Sequence, residues 1–256
     1  MQNNNSINKA RALYYNLFAN FFVASKESKN YFELLSLVNT LKENPIDKGS
    51  GSALENISLL LDPSSNITLL QEFDDLFHSP MSKKIRQTAS YYDEGVESGK
   101  KRVEMIQFIA KTKIRRDEKS YFEYEDSIGF IFSALAFLSN EIAQGQKEYE
   151  NTVHCIFESI LNEFIDDLAK DIYEHENALI YKELMVVLHS FLEFERLYLD
   201  VSIHIRKAKF RKVAPSEKIL SEDEIKRRAR NKALREKNPK DEEETKDIAY
   251  DVEVDI

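Results

Sequence analysis

The sequence predicts an all-α fold, and three observations lead to that prediction. Only 6 glycines and 5 prolines occur among 256 residues, although strands and their tight turns consume both residue types. Apolar residues recur at the three- and four-residue spacing of amphipathic helices along most of the chain. No stretch alternates apolar and polar residues as a half-buried strand does. We therefore expect a helical bundle with few connections.

The first half of the chain contains helical patterns separated by short polar breaks. A loop is expected over residues 44–52, where glycine, serine and a proline cluster. Helices are expected over residues 6–24, 29–42 and 54–61, over a segment around Glu72 that starts at Ser64 or Asn66 and breaks at Pro80, and over residues 98–114.

The second half begins after a polar, broken segment at residues 114–126. Further helices are expected over residues 125–142, 148–173 and 178–206. No internal repeat of fixed period is present. We expect one helical domain over residues 1–212, made of an N-terminal part of about 1–116, a hinge of about 117–126 and a C-terminal part of about 127–212.

The composition changes after residue 207, where acidic and basic blocks replace apolar residues. Such a segment cannot bury enough apolar surface to offset the entropy that ordering costs. We therefore expect residues 213–256 to form a charged, disordered tail that is transiently helical.

Composition and charge exclude several classes of protein. The net charge of −9 argues against a nucleic-acid binder, because affinity for duplexes comes mostly from Lys and Arg at phosphates. The first residues lack the apolar core of a signal peptide, and no apolar run reaches the roughly 18 residues of a spanning helix. A cytoplasmic protein without stable membrane insertion is expected.

Catalytic motifs are missing from the chain. Neither glycine-rich phosphate loops nor the nucleophile elbow occurs. The single cysteine, Cys155, has apolar neighbours, which favours a buried inert thiol. His189 and Glu193 share a helix face, but a metal site needs two further ligands that the pattern does not supply. No catalytic residue, metal or cofactor is predicted.

Residues 72–95 carry more aromatic surface than a connecting segment needs. Carboxylates flank the aromatic residues here and at residues 123–126. One interpretation is that the aromatic residues belong to the core and the carboxylates to solvated helix faces. The other is an apolar groove with acidic groups near one end, which suits a peptide with arginines beside an apolar run.

The same stretch resembles the signature of the TorD/DmsD family of molybdoenzyme maturation chaperones. Family members carry Glu-aromatic-x-x-Leu-Phe, a nearby proline, and then a tyrosine element followed by Asp. The matching residues are Glu72, Phe73, Leu76, Phe77, Pro80, Tyr91, Tyr92 and Asp93.

Two further regions extend the resemblance to about residues 8–205. Residues 11–22 look like the family's first helix, and residues 123–138 are similar to its Glu-Pro-x-Asp-His hinge and the helix that follows. Glu123 and Asp126 match that motif, whereas Tyr124 and Ser127 replace its Pro and His. An inference that depends on the histidine, including nucleotide binding, does not carry over.

The resemblance implies a TorD-type cytoplasmic chaperone without catalysis of its own. Its partner would be the apo form, or the twin-arginine signal peptide, of a molybdopterin-dependent oxidoreductase of the dimethyl sulfoxide reductase class, and formate dehydrogenase is one admissible client. It would assist cofactor insertion and delay export, as a monomer or a domain-swapped dimer. The implied client-binding residues are Glu72, Phe73, Leu76, Phe77, Pro80, Tyr91, Tyr92, Asp93, Glu123, Asp126 and Ser127.

Two alternatives from other functional classes remain. The first is a non-catalytic helical adaptor that acts through its charged tail, with the bundle as a scaffold. The second is a helical hydrolase or metalloenzyme that uses His189, Glu193 and other carboxylates. The sequence does not identify the client.

Overall fold

The computed structural model describes residues 2–24, 27–80, 84–119 and 121–204. The α-helices in these residues are α1 (Gln2–Val23), α2 (Ser28–Glu43), α3 (Lys48–Leu60), α4 (Ile67–Phe77), α5 (Ala89–Glu94), α6 (Lys100–Ala110), α7 (Ile128–Ala143), α8 (Glu150–Ile156), α9 (Ile165–Tyr173) and α10 (Ile180–Leu199). A 3₁₀ turn, Lys147–Tyr149, precedes α8, and a π-helical turn, Phe157–Leu161, follows it. The described ranges contain no strand, and the predicted all-α fold is confirmed.

The core forms where α1, α7 and α10 meet. The ring centroid of Phe18 on α1 lies 5.2 Å from that of Phe132 on α7 and 5.5 Å from that of Phe191 on α10. All three rings are fully buried. A Cβ added to Gly129 would lie 3.1 Å from the carbonyl oxygen of Phe22, so glycine allows α1 and α7 to approach closely here.

A buried ion pair also joins α1 to α10. Arg11 Nε donates to Glu195 Oε2 at 2.8 Å, and the hydroxyl of Tyr15 donates to the same carboxylate. Asn8 Oδ1 accepts from Arg11 Nη1 at 2.6 Å. Because all four residues are buried, the charges are stabilised by one another rather than by water.

The start of α3 differs from the sequence prediction. Asp47 and Ser50 form a capping box, in which Ser50 N donates to Asp47 Oδ1 at 2.7 Å and Asp47 N donates to Ser50 Oγ at 3.0 Å. The helix therefore begins at Lys48, and the predicted loop over residues 44–52 is wrong from Lys48 onward. The cap satisfies the first backbone donors and so compensates for two glycines in the first turns.

The predicted helix over residues 148–173 is also interrupted. Asn162 N donates to the carbonyl oxygen of Phe157 at 2.8 Å, which is the spacing of a π turn. Lys101 Nζ donates to the carbonyl oxygen of Ser159 in that turn at 2.7 Å. Residues 162–164 are non-helical, and α9 resumes the helix.

The last described helix ends earlier than predicted. Asp200 has a φ of 56°, in the left-handed region, and α10 stops at Leu199 rather than near residue 206. Residues 1–205 form one compact unit. The predicted tail, residues 213–256, lies outside the described residues, and the boundaries proposed inside the domain stay predictions. Among the described helices, none has the length and apolar character needed to cross a membrane.

Candidate functional site

The structure brings together the two stretches that the sequence analysis singled out. Residues 84–88, which precede α5 and are not helical, run beside the end of the hinge, where Thr88 and Ser127 form an isolated antiparallel bridge. Ile128 N donates to the carbonyl oxygen of Gln87 at 2.8 Å, and Ala89 N donates to that of Asp126 at 3.0 Å. The segment before α5 and the hinge therefore form one wall of the molecule.

A cleft of about 240 Å³ opens beside this wall. Both acidic and basic side chains line it, namely Glu97 and Glu123 together with Lys84 and Arg86. Its lining residues are Phe77, His78, Lys84, Ile85, Arg86, Gln87, Thr88, Glu97, Glu123 and Tyr124. Of the predicted site residues, Phe77 and Glu123 line this cleft.

Glu72 has a different position from the one expected of a client-binding residue. It is buried, and its carboxylate accepts hydrogen bonds from three backbone amides at the start of α10. The donors are Leu179 N at 2.8 Å, Ile180 N at 3.0 Å and Tyr181 N at 2.8 Å. A carboxylate at a helix N-terminus neutralises the partial positive charge there. Glu72 therefore joins α4 to α10.

The aromatic face of α4 belongs mainly to the core. Leu76 and Phe77 are fully buried, and the half-buried ring of Phe73 packs on Phe77 with centroids 4.9 Å apart. Pro80, by contrast, is exposed. In this conformation a partner can reach Pro80 and part of Phe73, whereas Phe77 lies beneath the surface of the cleft.

The tyrosine pair on α5 is divided between surface and interior. The Tyr91 side chain is 39% exposed, and the guanidinium of Arg86 lies 5.4 Å from the centre of its ring. Tyr92 is half-buried and donates to Asp171 Oδ2 at 3.2 Å; its burial, together with that carboxylate, raises its pKa far above the usual value. Asp93 is also half-buried.

Asp126 and Ser127 are buried at the end of the hinge. Asp126 Oδ2 accepts from Ser90 N at 2.9 Å, and among the described residues no hydrogen-bond partner reaches Oδ1. Ser127 Oγ shares a hydrogen bond of 2.8 Å with the hydroxyl of Tyr121. Burial raises the pKa of Asp126 above its ordinary 3.8. No part of Asp126 is exposed, so it contacts no partner directly in this conformation and affects binding only by positioning the residues around it.

Asp126→Asn is expected to leave the protein at least as stable as wild type at neutral pH. Since the pKa of Asp126 is raised in the folded state, its contribution to stability is fully present below pH 3.8 and is lost as pH rises through the folded value. Asparagine imitates the protonated form at every pH. Denaturant titrations from acidic to neutral pH should show the wild-type free energy of unfolding falling relative to that of the variant. A variant that is less stable at neutral pH would contradict this expectation.

Sequence reasoning missed Glu125, which organises the hinge. Its carboxylate accepts from Arg102 Nε at 2.7 Å and from Arg116 Nε at 2.9 Å. Burial works to raise the pKa of Glu125, but these hydrogen bonds outweigh it and hold the pKa below its usual value. The guanidinium of Arg102 also lies 4.3 Å from the centre of the Tyr124 ring.

Glu97 was missed as well. Its carboxylate accepts from Arg86 Nη1 at 2.6 Å and from the Thr88 hydroxyl at 3.0 Å. No motif marks it, because its partners come from another segment of the chain. Within the described residues, no group of three or more His, Cys, Asp or Glu side chains could hold a metal ion. The chemistry that the cleft offers is recognition of charged and aromatic groups.

The residues of this site lie in a part of the chain that matches a known protein family. The model of the nitrate reductase delta subunit family matches residues 43–170, half of the chain. A crystal structure of a proposed redox enzyme maturation protein from Archaeoglobus fulgidus is similar at 19% identity and a TM-score of 0.45. That similarity covers 71% of this chain and 93% of the other. No curated protein sequence matches the chain.

Proposed function

Because this chain belongs to the nitrate reductase delta subunit family of TorD-type maturation chaperones, which serve molybdoenzyme clients, we propose that it binds the signal peptide or the apo form of one molybdopterin-dependent oxidoreductase. It would assist insertion of the cofactor and delay twin-arginine export, acting in the cytoplasm and catalysing no reaction itself. The client would be of the dimethyl sulfoxide reductase class. A nitrate reductase, from the family's name, and a formate dehydrogenase are both candidates.

The observation that carries the proposal is the cleft beside the wall that residues 84–88 and the hinge form. Glu97 and Glu123 supply carboxylates there, and Arg86, which also lines the cleft, contacts the exposed ring of Tyr91. A peptide with arginines followed by an apolar run needs such a combination of charge and apolar surface. The net charge of −9 favours the approach of a cationic segment.

Tyr91→Ala and Glu123→Gln are expected to weaken binding of a client peptide without unfolding the protein. Each side chain is exposed, so its removal leaves the core intact. We expect each change to raise the dissociation constant by about tenfold, equivalent to about 1.4 kcal/mol. Calorimetry with N-terminal peptides of the molybdoenzyme precursors from the same genome measures this.

Matched controls come from elsewhere on the chain. Tyr173 is also an exposed tyrosine with a cation over its ring, Lys182 Nζ at 4.8 Å from the centre. Tyr173→Ala should therefore leave the affinity unchanged, as should Glu33→Gln on exposed α2 surface. If the wild-type protein bound neither these peptides nor a co-expressed precursor, the proposed function would be wrong.

Deletion of residues 213–256 distinguishes the chaperone hypothesis from the alternative of an adaptor that acts through its charged tail. A chaperone that uses the cleft keeps its affinity for the peptide after the deletion. Loss of all partner binding in the shortened protein would favour the adaptor instead.

A further inference from the structure

The guanidinium of Arg86 contacts a carboxylate and an aromatic ring, the two groups that commonly recognise arginine. Nη1 donates to Glu97 Oε1 at 2.6 Å, and the Thr88 hydroxyl donates to Glu97 Oε2 at 3.0 Å. On another side, the guanidinium carbon lies 5.4 Å from the centre of the Tyr91 ring. Proteins recognise arginine by such pairing with a carboxylate and by stacking on an aromatic face. The site is therefore built for a guanidinium, and the chain's own arginine occupies it.

The site is also open enough for exchange. The side chains of Arg86 and Glu97 are 38% and 41% exposed. Water screens an ion pair of this exposure, so the pair contributes little net stability and is easily broken. Thr88 is buried, and its hydroxyl also donates to the Glu97 carboxylate, so Arg86 is not the sole group that positions it.

We propose that Arg86 is an internal stand-in for an arginine of the client, and that the client arginine displaces it from Glu97 and Tyr91. This inference rests on the proposed function and adds the residue that receives the arginine, Glu97, and the residue that competes for it, Arg86. A ligand must offset the loss of the internal contact before it binds. Peptides with a single arginine and no further contact in the cleft are thereby rejected.

Glu123 lines the same cleft and supplies the second carboxylate that a pair of adjacent arginines needs. Lys84 and the displaced Arg86 remain as cations at the cleft. They repel a cationic peptide unless it pairs with one of the two carboxylates. The occupant that fits best is therefore an extended cationic segment with two guanidinium groups and an apolar continuation.

Arg86→Gln tests the displacement, because it removes the competing guanidinium. The probe is a synthetic peptide with two adjacent arginines followed by an apolar run. Its counterpart carries citrulline, in which an uncharged urea group replaces each guanidinium. We expect Arg86→Gln to bind the arginine peptide up to about fivefold more tightly than wild type, and Glu97→Gln to bind it about tenfold more weakly. The citrulline peptide should respond to neither change.

A control variant and a direct measurement separate displacement of Arg86 from a general effect of net charge. Lys29→Gln changes the net charge by the same amount as Arg86→Gln, but Lys29 pairs with Glu33 on α2, away from the lining of the cleft. It should leave the affinity unchanged. In wild type, the Nε–H resonance of Arg86 should shift when the arginine peptide is added, which reports displacement without any substitution.

The outcomes distinguish this inference from the proposed function. If wild type binds the peptide and Arg86→Gln binds it equally or more weakly, displacement is wrong and the chaperone function stands. An equal gain with the citrulline peptide or in Lys29→Gln also overturns displacement. If no variant binds the peptide and wild type binds no precursor, both proposals fail.

Discussion

Arg11→Met is expected to lower the free energy of unfolding by about 3–5 kcal/mol, the usual cost of removing one partner from a buried ion pair. Arg11 is 2% exposed and its partner Glu195 is not exposed at all. The substitution leaves the Glu195 carboxylate in the core with the Tyr15 hydroxyl as its remaining donor among the described residues. Glu195 is fully buried, so its carboxylate is then a charge in the core without a compensating cation.

Chemical denaturation followed by circular dichroism measures this loss. The double variant Arg11→Met/Glu195→Gln should recover most of it, because glutamine carries no charge and still accepts from Tyr15. Lys29→Met removes a cation from an exposed pair on α2 and should cost less than about 1 kcal/mol. A double variant as unstable as Arg11→Met would mean that packing, rather than the uncompensated charge, accounts for the loss.

Glu72→Ala is expected to destabilise the protein by about 3 kcal/mol, since three hydrogen bonds to a charged acceptor are lost together. The residue before α10 is Leu179, which has no side-chain acceptor, so α10 depends on Glu72 for its cap. Glu72→Gln keeps one acceptor oxygen and should cost less, about 1 kcal/mol, through loss of charge at the helix N-terminus.

The same variants test whether Glu72 contacts a client. Glu72→Gln should leave the affinity of the folded protein for a client peptide unchanged, because its carboxylate is occupied by the Leu179, Ile180 and Tyr181 amides. Glu183→Ala, at a half-buried acidic residue in the first turn of α10 that does not cap the helix, is the control and should change stability by less than about 1 kcal/mol. A large loss of affinity in Glu72→Gln at unchanged stability would contradict the capping role.

Much of the helical architecture could be predicted because amphipathic periodicity is a local signal. The pattern in residues 6–24 predicted α1, and the pattern in residues 125–142 predicted α7, each to within a few residues. The errors occurred where a few side chains outweighed the local pattern. Asp47 and Ser50 extended α3 into a glycine-rich segment, and Lys101 accompanies the π turn that interrupts the predicted helix over 148–173.

For the candidate site too, the sequence predicted the location but not the role of each residue. The sequence singled out residues 72–95 and 123–127, and the structure brings Thr88 and Ser127 together at that place. The sequence did not reveal which of these residues face solvent. Glu72 and Asp126 are buried, whereas Tyr91 and Glu123 are exposed. Whether the exposed members bind a client stays a prediction.

The sequence by itself determined the all-α class, most helix positions and the stretch on which family resemblance rests, because each depends on residues near one another in the chain. Only the tertiary structure decided what each charged group does. Glu72 and Leu179 are 107 residues apart, and Arg11 and Glu195 are 184 apart. The same carboxylate type can cap a helix, balance a buried arginine or receive a guanidinium in a cleft. Burial and partner decide among these roles, and both arise only when distant helices pack.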